Sequence, residues 1–414
     1  MDSHNRLKES NSIVMLTADE KIDRRILLEA DSLEAAGWKV SIIAMPLAPN
    51  EMDADPRIVR IDVGNALRNR ANFLLHAYRW LRQRVPQSGW LMREMKAIAW
   101  RYLVDQESLF VKLFSSATSR FSPDIFVAHD LPMLPVARLA CQRSGAKLVY
   151  DSHELYSEQE FSLREKQRWA EIEAKHIRAC DAVVTVNPSI AEELERRYGL
   201  HGVNVIYNAE RSRRSLERKG FFHRAFELCP DQKVILFQGG LLAGRNLEIL
   251  VEAMSHVRNP KLNLVILGNG QLGAPLKKLV EKLGLSDRVY LHPEVRQEHL
   301  LSFTASADAG VIPYQPNCLN NYYCTPNKLF EFIAAGVPIV ASDLPELRRM
   351  IQTHGIGLVG DMGTAEKAAE LIDDFFGDSD RLQGWQRQAL ISRQTVCWEE
   401  EGKKLVSIYE HLRN

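Results

Sequence analysis

Short apolar runs rich in β-branched residues alternate along this chain with segments whose apolar residues recur at helical spacing. That alternation restricts the fold more than any other feature. Ile13 to Leu16 reads as a strand, and the loop Asp19 to Asp23 leads into an amphipathic helix near Ile26 to Ala36. Gly37 ends the helix and Val40 to Ala44 returns as a strand. A strand, a helix and a returning strand make the βαβ unit of a parallel sheet, since a parallel neighbour is reached only through a crossover.

Further strands are expected at Ile58 to Ile61, Ile125 to Ala128, Leu148 to Asp151, Ala182 to Val186 and Val203 to Ile206, with helices at Leu134 to Arg143 and Ala191 to Tyr198. The alternation pauses between Asn208 and Asp231, where Arg, Glu and Ser replace apolar runs. It resumes with strands at Val234 to Phe237, Leu264 to Leu267, Val289 to Leu291, Ala309 to Ile312 and Pro338 to Ala341. The helices between them are expected at Leu247 to Met254, Leu276 to Leu283 and Lys328 to Ala335, and a last one at Val396 to His411. The expected fold is α/β: two Rossmann-like domains facing each other across a cleft at the carboxyl ends of their strands. The expected boundaries are 1–207 for the first domain, with a helical insertion at about 65–118, and 208–230 for a connecting segment. The second domain is expected at 231–385, and a helical segment at 386–414 could cover either domain.

Lys plus Arg and Asp plus Glu both total 53, so no bulk positive charge argues for a nucleic-acid partner. The six cysteines are scattered without zinc or redox spacing and are expected to be reduced and mostly buried. The first thirty residues carry no apolar segment with a cleavage site, and no apolar run is long enough to span a bilayer. These features point to the cytoplasm. Charge is uneven, however: residues 57–120 hold twelve Lys or Arg against four Asp or Glu, a net +8. Trp80, Trp90, Trp100 and Tyr102 are interleaved there with Arg79, Arg82, Arg84, Arg93 and Arg101. Such a segment suits either an anionic membrane surface or a helical insertion whose aromatics pack inward.

Chemistry concentrates in the second half. Gly239-Gly240, followed by Gly244-Arg245, and Gly268-Asn269-Gly270 come after predicted strands, and Gly336 lies between the late helix and its strand. Glycine at a strand end admits an anion close to the backbone, and a following helix start supplies free amides. All three turns are expected at one sheet edge, forming a phosphate or nucleotide crevice. In Thr325-Pro326-Asn327-Lys328-Leu329-Phe330-Glu331-Phe332 the proline suits a first helical turn, where lysine is disfavoured by the helix field. Lys328 makes sense there facing a diphosphate, or as an ordinary surface lysine. Glu331 lies on the same side of the helix and could accept hydrogen bonds from a ribose diol, or pair locally with Lys328.

The block YCTPNKLFEFIAAGVPIVASD from Tyr323 to Asp343 closely resembles the donor-site signature of the retaining glycosyltransferases of family 4, which have the two-Rossmann-domain GT-B architecture. FQGGLLAGRNLEILVEA, LVILGNGQL and DAGVIPY resemble the same family's other C-terminal signatures. VAHDLPMLPVARLA and KLVYDSHELYSE resemble its N-terminal segments. The resemblance covers about residues 12 to 410 and is thinnest between 62 and 118. It implies transfer of a hexose-type sugar from a UDP- or GDP-sugar to a saccharide or lipid-linked saccharide, with no permanently bound cofactor and no metal. Gly239, Gly240, Arg245, Gly268, Asn269, Asn327, Lys328 and Leu329 are then expected around the donor, and Glu331 on its ribose. The family often has an Arg where this chain has Gly240, which leaves the cationic role to Arg245 and Lys328. A glutamate common eight residues before Glu331 is Tyr323 here, a departure shared by the branch with a PNKLFE-like motif.

His129-Asp130 and Asp151-Ser152-His153-Glu154 each follow a strand and lie near the expected cleft. The resemblance places His129 or His153 near the transferred sugar, with Asp130 and Glu154 orienting it or binding acceptor; each histidine could equally be a cap or packing residue. The family reaction is front-face transfer, in which the leaving diphosphate takes the acceptor's proton and Arg245 and Lys328 stabilise its charge. The first loop lacks a glycine pair common in the family, and acceptor recognition is expected from Asp23, Arg24 or Arg25. Two other readings stay open: a nucleotide-sugar epimerase of the same architecture, and an inactive binding protein.

Overall fold

The computed structural model describes residues 11–47, 53, 55–63, 105–212, 216 and 218–413. Strands β1 (Ser12–Leu16), β2 (Lys39–Ala44), β3 (Ile58–Arg60), β4 (Ile125–His129), β5 (Lys147–Ser152), β6 (Ala182–Thr185) and β7 (Asn204–Val205) form one parallel sheet, in the order β3-β2-β1-β4-β5-β6-β7. A second parallel sheet holds β8 (Lys233–Gln238), β9 (Leu262–Leu267), β10 (Val289–His292), β11 (Ala309–Ile312), β12 (Ile339–Ser342) and β13 (Gly357–Gly360), in the order β10-β9-β8-β11-β12-β13. Both are doubly wound, and their direction of winding reverses between β1 and β4 and between β8 and β11. Ligands of such sheets bind beyond the carboxyl ends of the strands at this reversal.

The first unit comprises Met1–Val186, Ala191–Val205 and Lys404–Asn414, and the second Asn187–Ile190 and Ile206–Lys403. Strands β1, β4, β9, β11 and β12 are buried along their whole length, as expected of parallel strands covered on both faces. Registers are continuous, with Ile13 opposite both Val40 and Ile125, and Phe237 opposite Ile266. Phe237, Phe330 and Phe332 are fully buried side chains of the second core, each worth about 2–3 kcal/mol of apolar transfer. Gly310 of β11 lets the helix Asn327–Ala335 lie directly on the sheet, because a Cβ there would stand 2.5 Å from the Phe332 ring.

Helix starts follow their local chemistry. Asp23 accepts from the Arg25 amide and begins Arg24–Ala35, and Ser162 with Glu165 forms a capping box at Leu163–His176. The final helix is Trp398–Arg413. Its last residues belong to the first unit, where Tyr409 meets Trp38 edge-on at 6.5 Å and the Lys147 ammonium donates to the Leu412 carbonyl.

Three expectations are corrected. Gly336 (φ 68) ends the helix Asn327–Ala335 and leads into β12, so its turn lies at the amino ends of the strands. That edge is opposite the one where β8 and β9 end, since helices of a doubly wound sheet run back against the strands. β7 is two residues long, with Val203 and Ile206 outside it. Only Cys397 is fully buried: Cys229 is exposed, and the other four free thiols are partly covered. Of the expected insertion, 105–118 is described and holds the whole helix Gln106–Thr118 with its N-cap Asp105. Trp80, Trp90, Trp100, Tyr102, Arg79, Arg82, Arg84, Arg93 and Arg101 lie outside the described residues.

Candidate active site

In the second unit the carboxyl ends of β8 and β9 turn back to back. The Gly239 amide donates to Leu267 O at 3.0 Å, and the Leu241 amide to Asn269 O at 3.0 Å. A Cβ on Gly268 (φ +148) would stand 2.0 Å from Gly239 O, so only glycine permits this approach. Gly239, Gly240, Asn269 and Gly270 are exposed along the resulting rim. Beyond it opens a cavity of about 400 Å³ lined by Leu241, Gly268, Asn269, Gly270, Gly273, Ala274, Lys277, Leu291, His292 and Pro293. That volume is within the range of small-molecule clefts.

Across the reversal point, Lys328 occupies the first turn of the helix Asn327–Ala335 and is buried. Its ammonium donates to Tyr314 Oη at 2.8 Å and lies 4.0 Å from the Phe237 ring centre. An ideal Cβ on Gly239 would be 3.4 Å from that nitrogen, so the glycine turn and the cation adjoin. Arg245 places its guanidinium 4.4 Å over the Tyr314 ring. Burial, reinforced by Arg245, lowers the Lys328 pKa to about 7 against the opposing pull of Glu331.

Glu331 takes a hydrogen bond from Gln238 Nε2 at 2.5 Å rather than an ammonium proton from Lys328. Gln238 Oε1 accepts from Thr304 Oγ1 at 2.8 Å, which fixes the amide with its NH2 toward the carboxylate. Asn327 is exposed and accepts from Asn208 at 3.0 Å. Leu329, expected in the segment around the donor, faces the core with its side chain. Its side chain is fully buried in the core and its amide donates to Pro326 O at 2.9 Å, so it seats the helix.

In the first unit a buried ionic cluster forms where β4 and β5 end. Arg25 is fully buried, its Nε and Nη2 reaching the two oxygens of Asp151 at 3.2 and 3.1 Å and its Nε reaching Glu29 at 2.8 Å. His129 Nδ1 and His153 Nε2 share Asp151 Oδ2 at 3.1 and 2.9 Å. Asp130 accepts from the His153 amide at 3.1 Å and holds φ 63, ψ 163, a backbone region that strains any residue but glycine. Burial opposes the charge on Asp151, but Arg25 and His153 outweigh it and hold its pKa well below the ordinary carboxylate range. Burial likewise opposes the His153 charge, yet Asp130 and Asp151 raise its pKa to about 10. Burial lowers the His129 pKa against the pull of Asp151.

Arg25 was expected at the acceptor; its full burial in this ion pair makes it an anchor for Asp151. Asp23 spends one carboxylate oxygen on the helix cap, and Arg24 follows it in the first turn. Of the two histidines, His129 is buried and His153 partly exposed, with Asp130 and Glu154 also partly exposed beside it. The Glu154 carboxylate accepts from the Gln159 amide. Ligand-type atoms of His129, Asp151 and His153 lie within 4.8 Å of one another. Arg25 also reaches both oxygens of Asp151, so a dication held by this trio would sit beside a guanidinium.

Tyr314, Gln238, Thr304 and the pairing of Arg25 with Asp151 were not foreseen from the sequence. Gln238 and Tyr314 carry one readable signal: each is a polar-tipped residue at, or two residues beyond, the end of a strand's apolar run at the reversal point.

Comparison with known proteins bears on this geometry. The family described as "Glycosyl transferases group 1" matches residues 219–390, and that described as "Glycosyl transferase 4-like domain" matches 22–209. The D-inositol 3-phosphate glycosyltransferase of Xylanimonas cellulosilytica is 24% identical over 295 residues, 66% of this chain and 68% of that protein. The solved sucrose-phosphate synthase of Thermosynechococcus elongatus superimposes with a TM-score of 0.72 at 18% identity, over 97% of this chain and 99% of that one. Anabaena Alr3699/HepE in complex with UDP-glucose gives 0.70 at 14% identity, over 97% and 99%. The two doubly wound units are therefore those of the GT-B architecture, and the chain belongs to the group 1 glycosyltransferases, enzymes of glycosyl transfer.

Proposed function

We propose that this protein is a retaining hexosyltransferase that takes its sugar from a UDP- or GDP-sugar and passes it to a saccharide or lipid-linked saccharide. One observation carries the reading: two cations, Lys328 and Arg245, gather about one neutral phenol beside a glycine turn at the sheet's reversal point. Neither is ion-paired to a carboxylate within 4.0 Å among the described residues. Like charges held close together, one of them buried, are costly unless an anion joins them, and a diphosphate is the anion this fold binds there. UDP-glucose bound to Anabaena Alr3699/HepE supports a nucleotide-sugar donor.

In this reading the nucleoside enters the cavity beyond β9 and β10, with Glu331 Oε1 accepting from the ribose. The glycine turn lets the diphosphate reach Lys328 and Arg245, which stabilise the charge that develops as the glycosidic bond breaks. The two cations do the work a metal would do at a diphosphate, so no metal is required. In the first unit, His153 and Asp130, the more exposed side of the ionic cluster, bind the acceptor, with Glu154 beside them. The basic, aromatic residues 57–120 are the reason for including lipid-linked acceptors.

The test is transfer from a panel of UDP- and GDP-sugars to saccharide and polyprenyl-linked acceptors, with and without chelator, and with the product's anomeric configuration read by NMR. Acceptor-dependent release of one nucleotide, insensitive to chelator and with the donor's configuration kept, supports the proposal. Donor consumption without acceptor would point to an epimerase, and no consumption to a binding protein.

A further inference from the structure

We propose that Tyr314 is the positioning residue of the donor site, holding Lys328 and Arg245 ready for a diphosphate without cancelling their charge. The inference rests on the donor-site reading above. Tyr314 lies two residues beyond β11 and is buried at the reversal point. One face of its chemistry is the hydroxyl, which accepts from the Lys328 ammonium at 2.8 Å. The other is the ring, whose centre is 4.4 Å from the Arg245 guanidinium and 4.7 Å from the same ammonium.

The buried Lys328 and the partly exposed Arg245 repel each other, and something must hold them together before the ligand arrives. A carboxylate would do so, but it would neutralise both and repel the incoming diphosphate. An aromatic ring attracts cations through its quadrupole while remaining uncharged, so the positive field stays available. The hydroxyl adds direction: with its lone pair on Lys328, its own proton is left to donate toward a phosphate oxygen. Burial, against the pull of Arg245, keeps that phenol protonated. Phe237 completes the arrangement, its ring centre 4.0 Å from the ammonium, so that Lys328 is fixed by one hydrogen bond and two ring faces.

The test is calorimetric titration of the full chain with UDP and with GDP, across pH 6 to 9, for the wild type, Tyr314→Phe and Tyr314→Leu. Tyr314→Leu removes ring and hydroxyl together and should weaken binding about thirtyfold. Tyr314→Phe keeps the ring but takes the acceptor from the ammonium. Its charged form is then less favoured, and the pH at which affinity begins to fall should move down by about one unit. A residue that only fills space would leave that pH unchanged. If the wild type binds UDP or GDP and Tyr314→Phe shows the wild-type pH profile, the positioning role is wrong while the donor site stands; that decides the matter even if Tyr314→Leu fails to fold. If the wild type binds neither nucleotide, the donor-site reading falls and this inference with it.

Discussion

If the donor diphosphate binds at Lys328 as proposed, donor binding should be a proton-linked event. In the unliganded pocket the Lys328 pKa is lowered to about 7, first by burial and then by Arg245. Relative to a solvated lysine, charging it there costs about 5 kcal/mol. A diphosphate offsets the cause, since its negative charges beside the ammonium favour the charged form and raise its pKa back toward that of a solvated lysine. The sign follows directly. Below pH 6 Lys328 is charged in both states and no proton moves. At pH 7 about half a proton is taken up on binding, and at pH 8 about nine-tenths. Apparent affinity should therefore fall about tenfold between pH 6 and pH 8. The assay is calorimetry in buffers of different ionisation enthalpy, using the UDP- or GDP-sugar that binds. Sugar conjugates carry no phosphate titrating in this range, so the uptake reports the protein. Lys328→Arg, whose charge is fixed, should bind without proton uptake. Zero uptake at pH 8 in the wild type, or equal uptake in Lys328→Arg, would refute the reasoning.

Other replacements probe separate parts of the structure. Glu331→Ala should raise the donor KM about 10- to 100-fold, and the loss should shrink when the donor is a deoxyribose analogue lacking the hydroxyl it reads, as a double-mutant cycle would reveal. Gly268→Ala should lower stability by about 3 kcal/mol in urea unfolding, because its Cβ would meet Gly239 O at 2.0 Å. Arg25→Met should cost about 3–5 kcal/mol by stranding Asp151 and Glu29 as buried acids, seen as a lower urea midpoint at pH 8. Asp130→Gly relieves the backbone at φ 63 yet removes the carboxylate beside His153, so kcat should fall while the urea midpoint holds or rises.

The alternation of strand and helix was legible because parallel strands buried on both faces read as unbroken apolar runs. Val234 to Phe237 and Leu264 to Leu267 were placed within two residues of β8 and β9. Strand β13, with glycine at both ends and two apolar residues between, gives no period to detect, and it was missed. Gly336 was misplaced for a related reason: sequence marks a turn, but the edge on which it falls depends on whether a strand or a helix comes before it. At the site, Lys328 and Glu331 were visible because a cation in a first turn, with an acid on the same side of the helix, invites explanation. Their supports were not, since Tyr314, Gln238 and Thr304 become site residues only once β8, β11 and the helix Gln297–Thr304 lie side by side. Arg25 looked like part of a charged loop because sequence cannot show that Asp151, 126 residues away, lies against it.

The most direct test of the account is a titration of the full chain with UDP and GDP, repeated on a variant lacking both cations, Lys328→Met with Arg245→Met. The expected result is selective binding of one nucleotide by the wild type and its loss in the double variant, with the urea midpoint kept. Binding that survives removal of both cations, or no binding of either nucleotide by the wild type, would contradict a diphosphate-held donor in the second unit.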